Sequence, residues 1–157
     1  MAQNGRVFQI NISPGGVPKL PVAGGVIGEL GIESDGHNYS GHGGPDKALC
    51  LYSLERILEF QREGHPIYPG STGENLTISG LNWDELKPGD CLRIGDEILI
   101  RITSYTAPCG KVKESFARGD FSPMDQKVNA GRARLYASVV TGGTILPAAT
   151  VEVISET

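Results

Sequence analysis

The sequence predicts a mainly β fold, an irregular closed or nearly closed antiparallel β-barrel with a few short helices. The 157 residues include 22 glycines and 10 prolines, which favour tight turns and short strands over long helices. Residues 92–94 and 97–102 are two apolar runs joined by Gly95 and Asp96, a two-residue linker suited to a hairpin. Many short strands separated by close turns are typical of a barrel.

The N-terminal part is predicted to hold a hairpin and a long ordered loop. Apolar and polar residues alternate over residues 7–12, turn residues follow at 13–16, and a partner strand is expected over 17–22. Residues 24–46 are rich in glycine and poor in apolar pairs, which indicates a loop with a short strand at 26–27. Long loops in compact domains are often functional.

The middle of the chain predicts a buried strand followed by a helix. Residues 48–52 form a short apolar run, and Ser53 can cap the helix that begins at Leu54. Gly64 can end that helix in the left-handed conformation. The apolar residues expected on its buried face are Leu54, Ile57 and Leu58. This helix is expected to cover one side of a sheet.

The C-terminal half is predicted to return to short strands. Asn82 before acidic residues predicts the cap of a single helical turn, and residues 111–117 predict a short helix. Residues 134–141 and 151–155 predict strands on either side of a glycine pair. With no internal repeat or linker, the chain is expected to form one domain over residues 1–157.

Composition and charge narrow the classes of function. The net charge of −4 comes from interspersed charges without a basic run, so no nucleic-acid partner is expected. No stretch approaches the roughly 20 apolar residues that span a bilayer, so no membrane association is expected. Three widely spaced cysteines do not form a disulfide framework. We therefore expect free thiols and a cytoplasmic location.

Cys109 is the leading candidate for chemistry. It lies between Pro108 and Gly110, after a predicted strand and just before a predicted helix. A helix N-terminus and the nearby Lys111 and Lys113 would stabilise its thiolate. The alternative is a buried, inert cysteine, which is the usual state of a free thiol. The flanking proline and glycine favour a reactive or metal-ligating role.

The other cysteines and histidines give weaker signals. Cys50 and Cys91 lie in apolar runs and are interpreted as core residues. A structural zinc site usually needs close Cys or His pairs, which the spacings do not supply. A zinc site through His37 and His42 therefore stays a minor alternative.

Three further clusters could bind a polar or anionic ligand. Residues 41–47 place His42 and Lys47 on a glycine-rich loop that lacks the pattern of a nucleotide-binding Walker loop. A plain β-turn explains this loop equally well. The remaining candidates are the pair Glu74 and Asn75, which could bind a heterocycle or only shape a turn, and the pair Arg132 and Arg134, which could receive a phosphate.

In combination, these motifs resemble the MOSC family, named for the C-terminal domain of molybdenum cofactor sulfurase. Residues 12–19 resemble the opening of its small stand-alone bacterial members, and residues 42–47 and 51–53 resemble its central signature. Residues 73–76 and the Pro-Cys pair at 108–109 follow in the same order. The resemblance covers almost the whole chain and implies the family's fold, a barrel similar to that of pyruvate kinase.

The resemblance also implies a function. Family members bind the molybdenum cofactor (molybdopterin) or carry sulfur, so Cys109 would ligate molybdenum as a catalytic residue. The leading hypothesis is reduction of N-hydroxylated small molecules with electrons from a redox partner protein, because no electron-carrying motif occurs in the chain. The residues implied as cofactor contacts are His42, Lys47, Glu74, Asn75 and Arg132.

Two alternatives remain open beside the enzyme. One is a non-catalytic carrier in which Cys109 holds a persulfide formed without pyridoxal phosphate and supplied by a sulfur donor. The other is a structural interaction domain. The chain also departs from the family pattern where Ser34 precedes Asp35 in place of glycine, and where Ala148 and Ala149 replace a closing Gly and Asp.

Overall fold

A closed seven-stranded β-barrel forms the body of the protein in a computed structural model that describes residues 4–36 and 44–154. Its strands neighbour one another in the order β1, β11, β7, β8, β9, β5, β6 and back to β1. The strands are β1 (Asn4–Ile12), β2 (Leu20–Val22), β3 (Gly25–Gly28), β4 (Gly31–Ile32), β5 (Leu49–Ser53), β6 (Leu76–Ser79), β7 (Cys91–Ile94), β8 (Ile98–Thr106), β9 (Arg134–Thr141), β10 (Gly143–Ile145) and β11 (Thr150–Ile154). The predicted mainly β barrel is confirmed.

One pair of strands in the barrel is parallel, whereas the other neighbours are antiparallel. Strand β5 runs parallel to β6, with Leu51 opposite Leu76. Parallel neighbours need a crossover connection, and helix α1 (Leu54–Arg62) lies in that connection. Strand β2 extends the sheet from β1, and β10, β3 and β4 form a separate small sheet.

Alternation within the strands explains the barrel interior. In β8 the side chains of Ile98, Ile100 and Ile102 are buried while Arg101 is exposed, as expected when successive residues point to opposite faces. All residues of β5 are buried, because one face lines the barrel and the other lies near α1. Burial of these apolar side chains is the main favourable term in folding.

Helix α1 begins as predicted but buries a different face. The Ser53 hydroxyl accepts a hydrogen bond from the Arg56 N–H at 3.1 Å, and Gly64 adopts φ 96° after the helix. The buried residues are Ile57 and Phe60, whereas Leu58 is 38% exposed. The expectation for Leu58 was wrong because the buried face of the helix is the one that carries Phe60. The Phe60 ring packs edge-on against the ring of Phe116, with 5.4 Å between the ring centres.

The predicted hairpin is present with a longer turn. Ile94 pairs with Ile98, which leaves residues 95–97 in the turn, so the two-residue linker was one residue too short. The carboxylate of Glu97 accepts a hydrogen bond from the Thr144 N–H at 3.2 Å, which holds this residue against β10. Strands β4 and β10 were not predicted, since runs of two or three residues carry little periodicity.

Helical turns connect the remaining strands. The 3-10 helices are Pro45–Lys47, Trp83–Glu85, Gly110–Ser115, Ala117–Gly119 and Ser122–Met124. The predicted cap is confirmed, since the Asn82 side chain accepts a hydrogen bond from the Asp84 N–H at 3.2 Å. Within the described residues, no helix has the length and apolar character needed to cross a membrane.

The two departures from the family pattern both fall at left-handed backbone positions. Ser34 has φ 73° and Ala148 has φ 70°, a region that favours glycine. The Ala148 N–H donates to the carbonyl of Val7 at 2.8 Å, so the turn is fixed by its hydrogen bonds to β1. Each side chain therefore imposes a local cost where the family has glycine.

We predict that Ser34→Gly and Ala148→Gly each stabilise the protein by about 1 kcal/mol, because glycine removes the clash of Cβ in the left-handed region. Denaturant unfolding measures the change. The control is Ser138→Gly within β9, which should destabilise the fold. Unchanged or reduced stability in both left-handed variants would contradict the prediction.

Candidate functional site

A pocket opens at the end of the barrel where β8 ends and β9 begins. Thr106 at the end of β8 pairs with Arg134 at the start of β9, and both line the pocket. The other walls come from the loop after β1 and the segment before β6. The lining residues with polar, charged or sulfur-bearing side chains include Lys19, Lys47, Cys50, Asn75, Cys109, Lys111 and Arg134.

Cys109 lies in this pocket on a short extended segment. It follows β8, has φ −141° and ψ 179°, and precedes the 3-10 helix Gly110–Ser115. Its carbonyl accepts a hydrogen bond from the Val112 N–H at 3.0 Å, which fixes the start of that helix. The side chain is half-buried, so its sulfur combines a defined position with access to the pocket.

Cys50 brings a second thiol to the same pocket. It is buried as expected, yet it lines the pocket and its sulfur lies 3.9 Å from the Thr106 hydroxyl. Burial raises the pKa of the Cys50 thiol, and the nearby Arg134 charge only partly opposes this. The interpretation of Cys50 as a core residue is incomplete, because periodicity in an all-apolar strand cannot show which face meets a pocket. Cys91, by contrast, is a buried residue of β7 outside the pocket.

Asn75 is a buried junction between the walls. Its side-chain oxygen accepts a hydrogen bond from the Cys50 N–H at 2.9 Å. Its side-chain nitrogen donates to the Asn11 carbonyl at 3.3 Å and to the Asp35 carboxylate at 2.9 Å. Asp35 also forms a buried ion pair with Lys19 at 2.6 Å. Asn75 therefore positions the pocket wall, and its use as a direct cofactor contact stays a prediction.

Glu74 lies beneath this wall and is fully buried. Its carboxyl group accepts hydrogen bonds from the Gly70 N–H and the hydroxyls of Thr72 and Thr77, each at 3.0 Å. Burial raises the pKa of Glu74 despite these hydrogen bonds. Its predicted contact with a cofactor is untested, and the observed contacts give it a role in shaping residues 70–77.

Arg134 places a buried cation at the pocket. The side chain of this residue donates from Nη1 to the Thr72 carbonyl at 2.6 Å, and the residue is 6% exposed. Its Nε is buried and has no hydrogen-bond partner among the residues that the structure describes. A buried donor without a partner is costly, and an anionic ligand in the pocket could supply the acceptor.

Arg132 lies away from these residues. It pairs with the carboxylates of Glu59, in α1, and Glu63, just after α1. Its guanidinium lies 4.5 Å from the ring centre of Phe60. The structure thus brings Arg134, rather than Arg132, to the pocket. The phosphate role predicted for Arg132 remains untested, but its position gives that role no support.

The glycine-rich loop contributes Lys47 to the pocket. Lys47 ends the 3-10 helix Pro45–Lys47, and its Nζ lies 5.2 Å from the ring centre of Tyr136. His37 and His42 lie outside the described residues. Within residues 4–36 and 44–154, no three His, Cys, Asp or Glu side chains come together as a metal site.

Besides Cys50, two further lining residues, Lys19 and Gly73, were not singled out as functional candidates. In the sequence, Lys19 stands out only as the last residue of the opening motif. Its buried ion pair with Asp35 could not be inferred from that motif. Gly73 has φ 89°, and a Cβ there would lie 2.6 Å from the Val17 side chain. Only glycine therefore allows this close approach of two pocket walls.

Comparisons with known proteins identify relatives of this fold and site. A model of the MOSC domain matches residues 38–152. The protein YiiM of Escherichia coli is 33% identical over 148 residues, covering 90% of this chain and 65% of its own length. A protein of Gibberella moniliformis named Reductase is 27% identical, covering 79% of this chain and 22% of its own length.

A solved structure gives the same result for the fold. The crystal structure of YiiM from Geobacillus stearothermophilus superposes with a TM-score of 0.74 at 26% identity. The match covers 96% of this chain and 75% of that chain. This chain thus spans just under two thirds of the Escherichia coli relative, and 22% of the fungal one.

We predict that iodoacetamide at neutral pH labels Cys109 well before Cys50 or Cys91, because Cys109 alone of these three is not buried. Mass spectrometry of peptides gives the rate at each site. Because burial also raises the pKa of the Cys50 thiol, labelling of Cys50 should stay slow at neutral pH. Cys109→Ser is the control that removes the fast phase. Equal rates at all three cysteines would contradict the assigned exposure.

We predict that the stability difference between wild type and Glu74→Gln depends on pH. The folded-state pKa of Glu74 is raised above its unfolded value, so its contribution is fully present below the unfolded pKa and is lost as pH rises through the folded pKa. In urea unfolding, the stability of wild type relative to the variant should fall as the pH rises above the usual range of a glutamate carboxyl. A constant difference, or one that grows with pH, would show that Glu74 is not favoured in its neutral form.

Proposed function

The chain belongs to the MOSC domain family, and from this membership we propose that it binds the molybdenum cofactor in the pocket and reduces N-hydroxylated small molecules. One observation carries the proposal. The half-buried thiol of Cys109 and the buried guanidinium of Arg134, whose Nε lacks a partner among the described residues, line the same pocket.

The residues present fit the chemistry of this cofactor. Cysteine sulfur is a suitable soft ligand for molybdenum, and Cys109 places such a sulfur at the pocket wall. A pterin phosphate needs cationic donors, and Arg134 offers a buried N–H, with Lys47 also lining the pocket. Molybdenum in this setting does not need a cluster of protein ligands, because the pterin dithiolene supplies further sulfur.

The reaction balances as R–NHOH plus two electrons and two protons giving R–NH₂ and water, with cleavage of the N–O bond. The cofactor, when bound, supplies the two-electron redox chemistry. Cys109 would hold the metal, Arg134 would orient the phosphate, and the pocket walls would place the N–O group and restrict water. A separate redox protein would supply the electrons, since we find no electron-carrying motif in the sequence.

Two further points support this assignment. A relative of Gibberella moniliformis carries the name Reductase, although this chain covers only 22% of that protein. All three cysteines are free thiols in the structure, which suits a reducing compartment, and we include a cytoplasmic location in the proposal.

The test is metal and pterin analysis of protein purified anaerobically from a host that makes the cofactor. We predict near-stoichiometric molybdenum in wild type and in Cys91→Ser, the matched cysteine control, and loss of molybdenum in Cys109→Ser. Arg134→Gln should retain less pterin, with circular dichroism confirming that it folds.

Two results would overturn the proposal. Equal molybdenum in wild type and Cys109→Ser would remove the ligand role of this thiol. Wild type without molybdenum or pterin, but with cyanide-releasable sulfur that depends on Cys109, would instead support the sulfur-carrier alternative.

A further inference from the structure

A second depression adjoins the pocket and has no role in holding the cofactor as proposed above. Val17 and Lys111 line both cavities, and the consecutive residues Cys109 and Gly110 line the first and the second. A molecule lying in the second depression would therefore be next to the pocket that contains the Cys109 thiol.

One wall of this depression is apolar and aromatic. Tyr68 is 48% exposed and lies beside Pro18 and Pro66. The Tyr68 N–H donates to the Ser71 hydroxyl at 3.0 Å, and the Ser71 N–H donates to the Tyr68 carbonyl at 2.9 Å. The turn thus fixes the backbone of an aromatic residue whose ring is accessible to a planar ligand.

A second group of lining residues is charged and is joined to the turn of Tyr68. Lys111, Lys113 and Glu114 come from the 3-10 helix that follows Cys109, and together they carry one net positive charge. The Ser115 hydroxyl on this helix donates to the Ser71 hydroxyl at 2.9 Å, and both serines are buried. This hydrogen bond sets the separation between the aromatic wall and the lysines.

A local positive charge is notable on a chain whose net charge is −4. An anion near Lys113 gains Coulomb attraction from this local charge. The depression therefore selects for a planar group joined to an anionic group.

We infer that this depression binds the body of the substrate, and that the preferred substrates are aromatic N-hydroxylated compounds with an anionic substituent. The ring packs on Tyr68, the anion lies near Lys113, and the N-hydroxyl group reaches the pocket of Cys109. This inference rests on the proposed function and adds the substrate class.

The test uses a charge series of one scaffold: 4-carboxybenzamidoxime, benzamidoxime and its 4-trimethylammonio derivative. Reduced methyl viologen supplies one electron per molecule, so two molecules and two protons convert each amidoxime to an amidine and water. With the loaded protein, KM should be lowest for the carboxylate and highest for the cation. Lys113→Ala should raise KM about threefold for the carboxylate but not for benzamidoxime, as expected for the loss of an exposed charge pair.

Charge reversal and salt sharpen the readout. Lys113→Glu should remove the preference for the carboxylate, whereas Lys127→Glu, an exposed lysine outside the depression, should leave it unchanged. The preference of wild type for the carboxylate should also shrink at roughly 0.5 M salt, because exposed charges are then screened. Calorimetry of 4-carboxybenzamidoxime binding to the purified chain without electron donor gives a readout independent of turnover.

The outcomes separate the two proposals. Equal KM values across the series, unchanged in Lys113→Glu, would overturn this inference while turnover itself would support the proposed function. Absence of turnover with all three compounds, together with Lys113-dependent binding of the carboxylate, would support the binding site and contradict the reductase function. Binding that ignores both ligand charge and Lys113 would overturn the inference in either case.

Discussion

The buried amide of Asn75 is the constraint on which the pocket depends. Its backbone N–H donates to the Cys50 carbonyl at 2.7 Å, and its carbonyl accepts from the Asn11 N–H at 2.7 Å. Its side chain adds hydrogen bonds to both of these segments and to Asp35. One residue therefore joins β1, β5 and the loop after β4, and each bond lost from it would leave a buried polar group at a cost of about 1–3 kcal/mol.

The polar groups around this junction differ in how completely they are paired. Asp35 neutralises Lys19 inside the wall, and Glu74 is surrounded by donors below it. A buried ion pair often adds more to specific geometry than to stability, since desolvation offsets its attraction. Arg134 differs, because one of its buried donors has no protein acceptor within the described residues. The pocket thus combines polar groups that are hydrogen-bonded within the protein with a buried cation that keeps one donor unpaired among the described residues.

The sequence predicts the barrel better than the details of its pocket. Alternation in β8 and the left-handed Gly64 depend on local physics, so both could be predicted. The choice between Arg132 and Arg134 could not, because it depends on the residue at which β9 begins and on the position of α1. The sequence could not show that Cys50 lines the pocket either, because both faces of its strand are buried. Tertiary contacts decide such cases, and a short run of residues does not encode them alone.

Closure of the barrel by β1 and β11 also orders its assembly in time. Asn4 pairs with Glu152, while the described pocket residues all lie between positions 16 and 136. A ribosome therefore completes every one of these pocket residues before the strand that seals the barrel emerges. Until then the nascent chain exposes the unpaired edges of β1 and β7, which are templates for strand addition by another copy. A chain that ends before Thr150 should thus be prone to aggregation, even though it contains all the described pocket residues.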